Sequence, residues 1–216
     1  VGSEMCIRDR LEAECNKLVK TDRVTWGSCM VACGDADGMV AGNTRHYAAT
    51  VDKLMQSIGS RDDEIVFGLC VFVNRGRTIV IADTNVIEYP TSEELASIAK
   101  SSARVAKLLG LDPKIAFLSH STFGQPETDR TTRISKAVEM LKDEKVDFLF
   151  DGEMQPDVAL NNKYKGTYSF SNIVGSANVL VMPSIHAAAI SIKMLKELSR
   201  GKVFGPLLIG LAQPIE

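Results

Sequence analysis

The stretch that decides the fold is residues 114–150, KIAFLSHSTFGQPETDRTTRISKAVEMLKDEKVDFLF. Its first segment, Lys114–Leu118, is short and apolar, which is typical of a buried strand. Residues 130–142 carry apolar side chains at helical spacing and predict an amphipathic helix. Residues 146–150 predict a second strand. This strand–helix–strand order predicts a parallel pair of strands joined by a right-handed crossover.

The same alternation continues towards the C-terminus. Residues 179–182 predict a strand that Pro183 ends, and residues 184–198 predict a helix closed by Gly201. A last apolar segment, residues 206–210, predicts one more strand. Together these elements predict a layered α/β fold with a parallel sheet.

Upstream of residue 114 the pattern changes to a hairpin followed by a helix. Residues 64–73 and 78–82 are rich in β-branched side chains and predict two strands around a turn at 74–77. Thr91 or Ser92 caps a long helix with Glu94 as its capping-box partner. Gly110 ends that helix.

The N-terminal region is harder to interpret. Residues 11–19 predict a short helix, residues 28–33 a strand, and residues 43–58 a helix or a helix and a loop. Residues 1–10 fit nothing that follows, and we expect them to be a non-native junction. We place the subdomains at 11–110 and 111–216, with the boundary at Gly110–Pro113.

Composition excludes several classes of protein. The 216 residues carry a net charge of −2, and their Lys and Arg are scattered, which argues against a nucleic-acid binder. No apolar run approaches the roughly 20 residues of a membrane span. The five cysteines form no zinc pattern, so we expect reduced thiols in a cytoplasmic protein. No glycine-rich dinucleotide or P-loop motif is present.

Candidate binding residues follow the predicted strands, where ligands bind in open α/β sheets. After Leu118 come Ser119, Ser121, Thr122 and Gly124, which can present hydroxyl and backbone donors to an anion. The alternative is an ordinary polar loop.

An acidic segment follows the next predicted strand. Asp151, Glu153 and Asp157, with Gln155 between them, suit acid–base chemistry or a grip on ligand hydroxyl or amine groups. The alternative is a turn whose acids cap the next helix.

Three further candidates are more isolated. Pro183 and His186 follow the strand at 179–182, and Gly205 precedes the last strand. A lone histidine in the first turn of a helix is more often structural than catalytic, and a glycine there can permit close backbone approach to a ligand or end a helix. No Ser/His/Asp set or metal cluster can be assembled from the spacing.

Several longer motifs resemble the phosphate acetyl/butyryl-transferase family. They agree with it in order and spacing from about Gly27 to Pro214. The motifs are PTSEELASIA (90–99), AFLSHSTFG (116–124), DGEMQPDVAL (151–160), ANVLVMP (177–183) and GPLLIGL (205–211). Within the family, YSFS (168–171), HAA (186–188) and GDAD (34–37) resemble the transferase-like domain fused behind the catalytic part of NADP-dependent malic enzymes.

The resemblance implies a fold and a set of ligands. It implies two three-layer α/β/α subdomains with a cleft between them, as in isocitrate and isopropylmalate dehydrogenases, and homo-oligomers. It implies acetyl-CoA or another acyl-CoA, and phosphate, as substrates of true transferases. In malic enzymes it implies a domain that senses acetyl-CoA. No cofactor is expected within this chain, since NADP and the divalent metal would belong to the malic-enzyme part outside it.

Two departures bear on activity. The family carries an arginine at the position that aligns with Asp52, and an acid there would repel phosphate. The chain also stops at Glu216, before the Ser-Arg pair of the family, so we expect a C-terminally truncated domain.

Three functions follow from these observations. The first is a non-catalytic acetyl-CoA sensor that regulates a malic enzyme. The second is a working phosphate acyltransferase that uses Ser119, Ser121 and Thr122. The third is an oligomerisation module.

Overall fold

The computed structural model describes residues 12–42, 45–61, 64–124 and 128–215. The predicted junction at residues 1–10 lies outside these ranges. The chain forms two compact units, Val1–Val66 with Leu208–Glu216, and Phe67–Leu207. No helix in the described ranges is long and apolar enough to cross a membrane.

The described residues form seven α-helices and six strands. The helices are α1 (Glu12–Thr21), α2 (Arg23–Cys33), α3 (Tyr47–Ser57), α4 (Ser92–Leu108), α5 (Asp129–Asp143), α6 (Pro156–Leu160) and α7 (Ile185–Leu198). The strands are β1 (Phe67–Asn74), β2 (Arg77–Ala82), β3 (Lys114–Leu118), β4 (Leu149–Met154), β5 (Val179–Val181) and β6 (Lys202–Ile209).

The six strands form one mixed sheet in the order β4-β3-β5-β2-β1-β6. Strands β2, β5, β3 and β4 are parallel neighbours, and β1 is antiparallel to β2. The predicted α/β fold is therefore confirmed, with a hairpin added to the parallel part. The carboxyl ends of four parallel strands lie along one edge, where the sequence places most of the candidate residues.

The core follows the period-2 alternation of the strands. On one face Ile79, Ile81 and Leu180 pack with Ala188 and Ile192 of α7. The intervening strand residues are also buried, and α4 and α5 contact those strands. Burial on both faces explains why the parallel strands are almost continuously apolar in the sequence.

The predicted hairpin and the helix after it are confirmed. Asn74 pairs with Arg77 across the turn, and Arg75 and Gly76 adopt φ values of 48° and 75°, as a two-residue hairpin loop requires. Helix α4 begins at a capping box formed by Thr91 and a glutamate three residues later.

The strand predicted at residues 28–33 is wrong, since these residues end helix α2. Asp22 caps the helix by accepting hydrogen bonds from the N–H groups of Val24 and Thr25 at 3.1 and 3.0 Å. Gly34, with φ of 81°, ends it in the left-handed conformation. These end signals outweigh the apolar run between them.

Other predicted bounds shift by a few residues. Strand β4 begins at Leu149 and extends to Met154, whereas residues 146–150 were expected. Helix α3 occupies the later part of the helix or helix and loop expected at 43–58, of which residues 43 and 44 lie outside the described ranges.

The predicted subdomain boundary lies between α4 and β3, inside the larger unit. Strands from both sides of Gly110–Pro113 belong to the one sheet. The architecture of two three-layer subdomains divided there stays a prediction.

A buried carboxylate organises the smaller unit. Asp22 forms ion pairs with Arg45 at 2.5 Å and with Lys53 at 2.7 Å. Burial opposes ionisation of Asp22, but hydrogen bonds from Lys53, from the backbone of Thr25 and from Arg45 outweigh it. They hold the pKa of this carboxyl well below its ordinary value. One side chain thus begins α2 and fixes α3 and the segment before it.

The Asp22→Asn variant removes the charge but keeps an N-cap oxygen. We expect its free energy of unfolding at pH 7 to be lower than that of the parent by about 1–2 kcal/mol. Because the folded pKa is depressed, this contribution is fully present above the unfolded pKa of about 4, declines as the pH falls below that value, and is lost as the pH falls through the folded pKa. Urea unfolding at several pH values measures the difference, with the exposed Asp35→Asn as control. A difference in free energy of unfolding between the parent and Asp22→Asn that stays constant from pH 7 to pH 3 would contradict this account.

Candidate functional site

The segment after β3, residues 119–124, is named here the β3 loop. Its backbone is joined to the end of β4 at two points. The N–H of Ser119 donates to the carbonyl of Met154 at 2.9 Å, and the N–H of Phe123 donates to the carbonyl of Glu153 at 2.9 Å. The loop therefore has a defined path along the carboxyl edge of the sheet.

The side chain of Glu153 supplies a third connection. Its Oε1 accepts hydrogen bonds from the Ser121 hydroxyl at 2.8 Å and from the N–H of Gly124 at 3.1 Å. Glu153 is 1% exposed, and its Oε2 is buried with no hydrogen-bond partner in the described residues. The Ser119 and Ser121 hydroxyls lie 3.1 Å apart. This acid holds the loop in place.

Gln155 completes the attachment. Its Nε2 donates to the carbonyl of His120 at 2.7 Å, and its N–H donates to the hydroxyl of Thr122 at 3.2 Å. Gln155 and Thr122 were predicted to bind a ligand, which stays a prediction, and in the structure these atoms join the β3 loop to the end of β4.

The placement of Asp151 and Glu153 corrects the sequence interpretation. Both lie within β4 rather than in a loop after it, two residues apart and buried. Asp151 accepts hydrogen bonds from the N–H groups of Gly152 at 2.9 Å and Asn172 at 2.7 Å. Asp157 is separate from them, exposed in the first turn of α6. The acidic segment is therefore not one site.

A cavity of about 500 Å³ lies at the carboxyl edge of the sheet, and we name it the strand-end cavity. Residues from the ends of β3 and β5 and from α5 and α7 line it. Its polar lining residues are Tyr89, Ser119, His120, Arg130, Ser184 and Ser191. Pro183 also lines it, so two of the predicted strand ends, those of β3 and β5, meet there.

The strand-end cavity is electropositive. The guanidinium of Arg130 lies 5.5 Å from the ring centroid of Tyr89. Within the described ranges, Arg130 forms no ion pair. Ser184 caps α7 by accepting from the N–H of Ala187 at 3.3 Å, so the positive end of that helix dipole also lies at the cavity. An anionic ligand is the complementary partner.

Sequence reasoning missed Arg130 and Tyr89. Arg130 lies in the first turn of α5, well after the end of β3. Tyr89 lies in the segment after β2, which Asp83 holds in place. The useful signal would have been a basic residue at the start of a crossover helix, since crossover helices begin on the carboxyl side of the sheet.

Asp83 positions the segment that leads to Tyr89. Its carboxylate accepts hydrogen bonds from the N–H groups of Gly68 at 2.8 Å and Asn85 at 2.9 Å. It also accepts from Ile87, at 2.5 Å. Burial raises the pKa of the Asp83 carboxyl, against the opposing effect of these backbone donors. The group is structural.

The remaining predicted residues lie apart from the cavity lining. The imidazole of His186 is exposed, with Nε2 at 3.2 Å from Oε1 of Glu88. Gly205 has φ of 113°, and a Cβ there would lie 2.7 Å from the carbonyl oxygen of Leu69, so this glycine serves the approach of β6 to β1.

No group of three or more His, Cys, Asp or Glu side chains in the described ranges could hold a metal ion.

The Glu153→Ala variant tests the attachment of the β3 loop. It leaves the Ser121 hydroxyl and the Gly124 N–H without their acceptor, and we expect it to lower the free energy of unfolding by about 2–3 kcal/mol. Glu153→Gln keeps a carbonyl oxygen and should lose less. Urea unfolding measures both, and hydrogen exchange should show faster exchange at residue 124. Equal stability of the parent and the alanine variant would show that Glu153 does not hold the loop.

Comparison with known proteins identifies the family of this chain. The family described as phosphate acetyl/butaryl transferase matches residues 8–216. The NADP-dependent malic enzyme of Rhizobium meliloti is 47% identical over 200 residues, which cover 93% of this chain and 26% of that protein. The phosphate acetyltransferase of Acetivibrio thermocellus is 32% identical, over 90% of this chain and 61% of that protein.

A solved structure supports the same relationship. The phosphotransacetylase from Streptococcus pyogenes superposes with a TM-score of 0.82 at 32% identity, covering 88% of this chain and 59% of that one. This chain thus spans about a quarter of the length of the malic enzyme and less than two thirds of the transferases. From the profile match and these similarities, the chain belongs to the phosphate acetyl/butaryl transferase family.

Proposed function

We propose that this chain is the phosphate acetyltransferase-like domain of an NADP-dependent malic enzyme and that it binds acetyl-CoA. Binding would regulate the oxidative decarboxylation of malate to pyruvate elsewhere in that protein. The identity of 47% to a malic enzyme supports the parent protein. The single observation that carries the ligand is the electropositive strand-end cavity with Arg130 at its wall.

The chemistry of acetyl-CoA suits this cavity. The ligand carries several phosphate oxygens and a long neutral arm, and its site needs cationic donors beside apolar surface. Arg130 and the N-terminus of α7 supply the positively charged donors. The apolar surface comes from Leu118, Met182 and Ala187. A volume of about 500 Å³ accommodates part of the ligand, with the rest over the surface.

Acyl transfer to phosphate is less well supported. That reaction holds two anionic partners together and stabilises an oxyanion, so it needs cations free to bind phosphate. In α3 the exposed charged side chain is the acid Asp52. Its neighbour Lys53, together with Arg45, is already paired with Asp22.

The hydrogen bonds of the two serine hydroxyls are made within the β3 loop and to Glu153. Ser121 donates to Glu153, and Ser119 lies beside Ser121. The described residues place no histidine in hydrogen-bond contact with either hydroxyl. A sensor requires only binding, which these groups permit.

The Arg130→Gln variant tests the proposed ligand site. Loss of a charged donor to a phosphate should weaken acetyl-CoA binding about tenfold, measured by isothermal titration calorimetry. Arg133→Gln, one turn later on α5, is the matched control, since Arg133 donates to the carbonyl of Pro90 and does not line the cavity. Equal weakening by both variants, or none by either, would place acetyl-CoA elsewhere.

Two assays test the sensor role beside the titration. Phosphate-dependent release of free CoA thiol at turnover rates would establish a working transferase and overturn the sensor. In a malic enzyme that carries this domain, acetyl-CoA should change the rate of malate oxidation, and Arg130→Gln should shift that response to higher concentration. An unchanged rate would reduce the domain to an assembly role.

We also propose that the protein is a homo-oligomer. Ile190, Met194 and Leu198 lie at four-residue spacing on α7 and are 60%, 53% and 80% exposed. A continuous apolar stripe on a helix favours association with another surface. A second copy of the chain supplies the same stripe.

The Met194→Glu variant should shift the mass in solution towards the monomer, because it introduces a charge into an apolar contact. Light scattering after size-exclusion chromatography measures the mass. Lys193→Glu places an acid on the adjacent exposed position and should leave the mass unchanged. A parent chain that is monomeric at high concentration would contradict the proposal.

A further inference from the structure

A second cavity, of about 320 Å³, lies towards the other end of the parallel strands. It is bounded by the β1–β2 hairpin, where β2 begins at Arg77, and by Leu195 on α7. It shares no lining residue with the strand-end cavity. The second cavity is therefore not part of the proposed acetyl-CoA site.

The walls of this hairpin cavity are apolar. Four strand residues form its floor, and none of them is more than 7% exposed. Leu160 of α6 and Leu195 of α7 form the sides. The floor residues are Phe72, Ile79, Ile81 and Leu180. Because the six wall side chains carry no nitrogen or oxygen, they offer contacts only to the apolar part of a ligand.

The rim is basic. Arg75 and Arg77 both line the cavity with Asn74 at the turn. The Nη2 of Arg77 donates to the carbonyl of Leu160 at 3.4 Å, which attaches its guanidinium to the last residue of α6. Neither arginine forms an ion pair with a carboxylate in the described ranges. Asp157 lines an adjoining cavity with Arg77 but is not its ion-pair partner.

We infer that the hairpin cavity is a binding site for a medium-chain monocarboxylate. The apolar chain would lie against the six wall side chains, and the carboxylate would accept hydrogen bonds from Arg75 and Arg77. At about 30 Å³ per heavy atom the cavity holds about ten, the number in an eight-carbon carboxylate. The site is independent of acetyl-CoA, which is far too large for it.

Octanoate is the probe. Titration calorimetry with the full chain should show one saturable site, and shorter carboxylates should bind about fourfold more weakly for each methylene removed. Octanamide, which keeps the chain but lacks the charge, should bind at least tenfold more weakly than octanoate. Failure of octanoate to bind to the folded chain at millimolar concentration overturns the inference.

Two variants locate the site. The surface double variant Arg75→Gln with Arg77→Gln should weaken octanoate binding at least tenfold, and Leu195→Phe, which fills the cavity, should abolish it. Arg61→Gln, in the smaller unit, is the control for lost positive charge and should bind as the parent does. All variants should keep the acetyl-CoA affinity of the parent. Octanoate binding that survives in both the double variant and Leu195→Phe would place the ligand elsewhere and overturn the assignment.

Discussion

The carboxylate of Glu153 is the interaction on which the carboxyl edge of the sheet depends. It lies inside the protein at 1% exposure, where an acid is costly unless hydrogen-bonded. The Ser121 hydroxyl and the Gly124 N–H offset that cost. In doing so they fix the loop whose first residue, Ser119, reaches the strand-end cavity. The position of Ser119 at the strand-end cavity thus depends on a buried acid that does not itself line that cavity.

The two compact units use cations in different ways. In the smaller unit Arg45 and Lys53 converge on Asp22, so their charge stabilises the fold. In the larger unit the guanidinium of Arg130 lies over the ring of Tyr89 and lines the strand-end cavity. Within the described residues it forms no ion pair, so its charge is not neutralised by a carboxylate. A paired cation must lose one partner before it gains another, whereas Arg130 gains an anion at little cost. This difference favours a binding site in the larger unit.

Much of the larger unit could be predicted from local signals that agree with one another. Strand β3 has the predicted bounds, and α4 has its capping box at Thr91. The smaller unit was harder to predict from the sequence. Helix α2 contains a short apolar run that resembles a strand, and the residues that make it helical, Asp22 and Gly34, lie at the two ends of the helix. The strand-end cavity combines α5, α7 and two strands that are distant in sequence, so Arg130 could not be assigned to it from spacing.

The later end of β4, at Met154 rather than at Phe150, changes the chemistry as well as the boundary. A strand that ended at Phe150 would have left Asp151 and Glu153 in a solvated loop, free to exchange protons. In a strand that continues to Met154, alternate residues share a face, and both acids turn inward to accept backbone or hydroxyl donors. Their hydrogen bonds position the backbone, and neither acid lines the strand-end cavity, whose described lining includes one cation, Arg130, and one imidazole, His120. Such a lining suits the anionic ligand proposed above, and neither buried acid lies where it could act on that ligand.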